Sequence, residues 1–90
     1  MTNATARGVV HGKVQGVWFR AFTREQALLQ GLNGFARNQP DGSVAFALSG
    51  SRPCIDKVLA ALEEGPPLAN VARVGVSWYP YEPMTGFETD

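Results

Sequence analysis

Ninety residues, 44% of them apolar, suffice for one domain with a real core, near the lower end of what folds without disulfides or metal. A formal net charge of zero argues against a nucleic-acid binder that works by neutralising phosphates, since such domains carry a basic excess, and points to a small-molecule partner. Cys54, the only cysteine, has no partner for an internal disulfide; no apolar run approaches the ~20 residues of a membrane span; and no basic segment followed by an apolar one opens the chain, so the cytoplasm is the expected compartment.

Met1 to Ala6 is small and polar and is expected to form a flexible lead to a single domain over 7–90. Arg7 to Val14 alternates, with Val10 and Val14 on one face and Val9, His11 and Lys13 on the other, as in a half-buried strand. Phe19 to about Gln30 has helical composition, and Gly31 can supply the left-handed residue that ends it. Gly34 to Asn38 and Ser43 to Ser49 read as strands joined through Gln39-Pro40-Asp41-Gly42, a turn signal, with Val44, Phe46 and Leu48 on the core face.

Ser51 is expected to cap a second helix with Pro53 in its first turn, and Ile55, Val58, Leu59 and Leu62 follow the i, i+3, i+4, i+7 rule. Gly65-Pro66-Pro67 ends it. Val74, Val76 and Trp78 share one parity in a strand over Val71 to Trp78, and a short strand near Phe87 can pair at an edge. The order βαββαβ predicts an α+β, ferredoxin-like α/β sandwich: an antiparallel sheet with two helices on one face.

The chemistry gathers in Gly12-Lys13-Val14-Gln15-Gly16-Val17-Trp18-Phe19-Arg20, where a strand breaks at Gly16 and restarts as a helix. Backbone N–H groups converging at a helix N-terminus, with a guanidinium on the open side, make a cradle for a tetrahedral oxyanion. Arg20 can grip two oxygens with its fork; the plainer reading is an arginine solvated on a helix. Gly16 leaves room for the anion or supplies backbone angles that other residues avoid. Asn38 offers an acceptor for a water and a donor for a phosphate oxygen, so it can hold a nucleophilic water in line; the plainer reading is a turn asparagine ahead of Pro40-Asp41-Gly42.

The sequence shows no Ser/His/Asp set, no phosphatase cysteine-loop-arginine, no carboxylate cluster and no P-loop pattern. One arginine, backbone amides and a neutral amide include no conventional acid or base, so only an activated phosphate is within reach. An acyl phosphate fits, because its leaving carboxylate, with a pKa on the order of 4, departs unprotonated. The proton of the attacking water can pass to a phosphate oxygen, and catalysis is positioning and charge stabilisation.

The two segments, in this order and one helix apart, resemble the acylphosphatase family without a gap from Val10 to Val44, and more loosely through Gly65-Pro66-Pro67-Leu68-Ala69-Asn70-Val71 and Phe87. The resemblance implies that Arg20 is the phosphate-binding catalytic arginine and Asn38 the water-orienting asparagine. Gln15, Gly16, Val17, Trp18 and Phe19 complete the phosphate-binding cradle with Arg20. It further implies hydrolysis of acyl phosphates to carboxylate and inorganic phosphate with no metal, no cofactor and no phosphoenzyme. Gln30, Ala36 and Ala45 depart from the family's usual residues, all outside the phosphate site.

A non-catalytic phosphate- or carboxylate-binding module is the alternative, and gives Asn38 little purpose. An RNA-recognition module shares the element order but fails on charge. His11 reads as a packed or solvated strand residue, Cys54 as inert, and Trp18, Trp78, Tyr79 and Tyr81 as core and edge cover, with Trp18 also placed to line the acyl side of the pocket. A monomer that touches neither nucleic acid nor membrane is expected.

Overall fold

A computed structural model describes residues 2–89, and the apolar alternation becomes a five-stranded sheet carrying two helices. The elements are β1 (Asn3–Lys13), α1 (Phe19–Leu29), β2 (Asn33–Asn38), β3 (Val44–Ser51), α2 (Arg52–Glu64), β4 (Asn70–Pro80) and β5 (Phe87–Thr89). Side by side the strands run β4-β1-β3-β2-β5, a ferredoxin-like α+β arrangement.

Cross-strand neighbours share a face, and here they sort by hydrophobicity. Val10 stands opposite Val44 and Val74, and Phe46 opposite Gly8 and Ala36. This face meets Phe19 and Ala27 of α1 and Ile55, Val58 and Leu62 of α2 in one buried cluster. Each large member removed from water contributes about 1.5–3 kcal/mol. Gly31, at φ 70°, ends α1 as expected, and the Leu32 N–H then donates to the Ala27 carbonyl.

The flexible lead is not what forms. β1 begins at Asn3, pairs with β3 from Asn3–Ser51 onward, and buries Thr5 and Ala6 completely; Met1 lies outside the described residues. Small side chains at 4–6 are what a closely covered strand accommodates, and the polarity of Thr5 is satisfied. Its hydroxyl donates to Ser49 Oγ at 3.3 Å and accepts the Glu82 N–H at 2.8 Å, while the Ser49 hydroxyl donates to the Glu82 carbonyl.

Those bonds also explain why the sheet is mixed rather than wholly antiparallel. β4 and β5 lie at opposite edges, so residues 81–86 must cross the sheet, and Glu82 fixes that crossing over Thr5 and Ser49. β4 ends beside the start of β1, where β2 also starts; a chain that crosses there and turns back runs parallel to β2, with Phe87 beside Gly34.

In β4 the register shifts between His11 and Gly12, leaving Ala72 unpaired, so Val71 and Val74 both face the core although their parities differ. Trp78 and Tyr79 are exposed rather than core, because β4 is an edge, and Tyr81 is exposed just beyond it; Trp78 instead carries the Arg52 guanidinium 3.5 Å from its ring centroid. Ser51 occupies the N-cap of α2 without a side-chain hydrogen bond, so the expected cap is positional only.

Candidate active site

The ends of β1, β2 and β5 and the start of α1 come together at one end of the sheet, which is where a βα loop can present backbone donors. Val14, Val17 and Phe19 sink into the core, pinning residues 14–19 at three points. Between these anchors the chain twice takes the left-handed conformation, at Gly16 (φ 72°) and Trp18 (φ 65°). A Cβ on Gly16 would meet no protein atom within 4 Å, so within the protein it is the left-handed backbone angle that calls for the glycine. At Trp18 no such exemption exists, and a left-handed tryptophan costs about 1–2 kcal/mol.

Trp18 is the N-cap of α1 but makes no side-chain cap bond, and the first turn has no acidic residue. The Phe22 N–H donates to the Trp18 carbonyl at 2.9 Å, and the N–H groups ahead of it have no intrahelical acceptor. Left-handed residues that alternate with others turn such donors to one side, which is the geometry of an anion nest.

A cavity of about 510 Å³ opens over these donors. Of the residues singled out in the sequence, Gly16, Trp18, Phe19, Arg20 and Asn38 line it; Gln15 and Val17 do not. Arg20 is half-buried and Asn38 exposed, and among the described residues neither side chain has a hydrogen-bond or ion-pair partner. Asn38 comes from the end of β2 opposite Val44, on the helix-covered side of the sheet.

Gln15 has a different task from its neighbours. Its amide donates to the Gln39 carbonyl at 2.8 Å and the Ser43 carbonyl at 2.9 Å, tying the cradle loop to the turn that follows Asn38. The turn is closed by the Gln39 N–H on the Ser43 carbonyl and by Asp41, which accepts the Ser43 hydroxyl and, at 2.9 Å, its N–H. The Ser43 hydroxyl, then its N–H, hold the Asp41 carboxyl below the usual carboxylate range.

Val14, Ala21 and Thr89 also line the cavity and were not legible in sequence. Thr89 arrives only through the parallel pairing of β5, where it stands beside Ala36. Ala21 carries no chemical signal. Neither His11 nor Cys54 lines the cavity: His11 pairs with Arg73 across to β4, and Cys54 packs against the core from α2. Among the described residues, no group of three or more His, Cys, Asp or Glu gathers to hold a metal ion.

The acylphosphatase family model matches residues 6–89. An acylphosphatase of Pelotomaculum thermopropionicum is 46% identical over 81 residues, covering 90% of this chain and 88% of that protein. One from Xanthomonas euvesicatoria pv. vesicatoria is 55% identical over 69 residues, 77% of this chain and 78% of its own. The solved acylphosphatase of Coxiella burnetii superposes with a TM-score of 0.93 at 32% identity, covering 99% of this chain and 94% of that one.

Proposed function

The chain belongs to the acylphosphatase family, and we propose that it hydrolyses acyl phosphates to a carboxylate and inorganic phosphate at the cavity between Arg20 and Asn38. The observation that carries this reading is the pairing itself. A guanidinium and a neutral amide from separate elements, each without a partner among the described residues, line one cavity over the uncapped start of α1.

In this mechanism the Arg20 fork binds two phosphate oxygens while N–H groups of the 15–20 loop take the others, each charge-assisted contact contributing about 1.5–3 kcal/mol. Asn38 accepts a hydrogen bond from a water and holds it in line with the bond from phosphorus to the acyl oxygen. The water oxygen forms the new P–O bond as the acyl P–O bond breaks; the carboxylate leaves with the bonding pair, and the water's proton passes to a phosphate oxygen. No side chain exchanges a proton, so the site needs placement and positive charge alone.

Phosphate release from acetyl phosphate in excess EDTA tests this. Turnover that persists in EDTA, with inorganic phosphate as a competitive inhibitor, is the expected result. Activity lost in EDTA and restored by a divalent ion overturns the mechanism; phosphate binding without any turnover leaves a non-catalytic anion-binding module.

A further inference from the structure

The outer face of α1 carries an apolar strip that begins at the catalytic cavity. Trp18, at its head, is 78% exposed, and Leu28 and Leu29, farther down, are 45% and 71% exposed. A second, shallower depression of about 450 Å³ lies on this face between Ala21 and the two leucines, bordered by Arg24 and Glu25. Ala21 lines both hollows, so the surface is continuous from the phosphate cradle to Leu28.

The core has no use for these side chains. α1 faces the sheet with Phe19, Thr23 and Ala27, and Leu28 and Leu29 lie on its other side. Ala21 and Leu28, seven positions apart, fall on nearly one line along the helix at a separation of about 10.5 Å, a length that roughly eight to ten methylenes span.

We infer that this strip is the acyl track of the site, and that aliphatic acyl phosphates of medium to long chain are the substrates it favours. This rests on the reading that Arg20 and the cradle hold the phosphoryl group. With the phosphate fixed at the start of α1, the acyl group leaves the cavity past Trp18 and Ala21 and lies along the helix toward Leu28 and Leu29. Arg24 and Glu25 flank the track with their alkyl stems and leave it open to water, so the chain is half covered. A methylene fully withdrawn from water gives roughly fourfold in affinity, and half coverage about twofold. The interaction is the same in ground and transition states, so it lowers KM and leaves kcat little changed.

Steady-state hydrolysis of acetyl, hexanoyl and dodecanoyl phosphate, each below its aggregation concentration, tests the track. The expected result is a KM that falls with chain length, at least about tenfold lower for dodecanoyl than for acetyl phosphate, at similar kcat. In the double variant Leu28→Gln, Leu29→Gln most of that advantage should vanish while acetyl phosphate kinetics stay within about twofold. Both leucines are exposed, and circular dichroism checks that the variant is folded.

Acetyl phosphate turned over with no gain on lengthening the chain overturns the acyl track and leaves the hydrolase reading standing. A chain-length gain that survives the double variant places the chain elsewhere and also overturns it. Sedimentation that shows a dimer, broken by the double variant, without a chain-length gain makes the strip a contact between copies instead. No turnover of any of the three removes the hydrolase reading and the track with it.

Discussion

The two helices of this fold begin in opposite ways. α2 follows β3 with no intervening residue: Ser51 is extended at φ −64°, the Arg52 N–H is taken by the Thr2 carbonyl, and Pro53 has no N–H to offer. α1 follows β1 after residues 14–18, two of them left-handed, with no side-chain cap and no proline. One helix start, that of α2, has its first two donors consumed or absent. The other keeps them turned toward a cavity that also holds Arg20 and Asn38. In a fold built from two similar βαβ units, the proposed site lies where one unit leaves donors unsatisfied, and the corresponding start in the other unit is largely closed.

The largest way to break this contrast is to remove the charge. Arg20→Ala should lower kcat/KM for acetyl phosphate by about 10³-fold, the scale on which an arginine stabilises phosphoryl transfer, and weaken inhibition by phosphate with it. Arg20→Lys should recover only part, because an ammonium cannot form the fork. With no partner among the described residues to lose, the melting temperature should hardly move. Unchanged phosphate inhibition in Arg20→Ala would make Arg20 a surface arginine.

Next in size is Asn38→Ala, expected to cut kcat by about 10²-fold with phosphate affinity within a few-fold, since it misplaces the water rather than the anion. Asn38→Asp should be worse, because it brings a negative charge up to a phosphate dianion. An Asn38→Asp enzyme as active as the parent would show that the water is held by another group.

Gln15 connects the two halves of the site, so its removal should show as coupling. Gln15→Ala removes one of two donors from each of the Gln39 and Ser43 carbonyls, which keep the Gly42 and Gln39 N–H groups, and should cost about 0.5–1.5 kcal/mol of stability per bond lost, with kcat down roughly tenfold. On an Asn38→Ala background the same change should scarcely lower kcat further, because the group it positions is gone. Equal losses on both backgrounds would mean that Gln15 acts on the cradle alone.

What the sequence made legible follows from where the physics is local. Alternation at Val44, Phe46 and Leu48 and helical spacing at Ile55, Val58 and Leu62 each reflect one face of one element, and both faces are buried as read. Gly16, Arg20 and Asn38, which line one cavity, could be singled out because anion chemistry restricts residue type. Thr89 could not be: it reaches the cavity through a crossing at Glu82, whose N–H donates to Thr5 and whose carbonyl accepts from Ser49, both far away in the chain. The unpaired Ala72 likewise has no mark in sequence, yet it puts Val71 and Val74 on one side. Gln15 was read as part of the cradle because its neighbours are; only its partners across the loop show that its side chain serves the turn.

The smallest effects test the contrast where it is purely conformational. Ser51→Ala should change stability by less than about 0.5 kcal/mol, although removing a serine N-cap ordinarily costs ~1, because this one makes no cap bond. Trp18→Gly should act the other way. It relieves about 1–2 kcal/mol of left-handed strain, offset by roughly 0.5–1 for the freer unfolded chain, and the exposed indole buries little to lose. The variant should therefore gain up to about 1 kcal/mol in urea unfolding. Trp18→Ala, which keeps the strain, should fall below Trp18→Gly by about 1. If the strain holds the N–H groups toward the anion, Trp18→Gly should also lose turnover of acetyl phosphate severalfold while it gains stability, since a relaxed loop no longer aims its donors. A Trp18→Gly protein less stable than Trp18→Ala would mean that the tryptophan is not paying a conformational penalty, and the difference between the two helix starts would then lie in Arg20 and Asn38 alone.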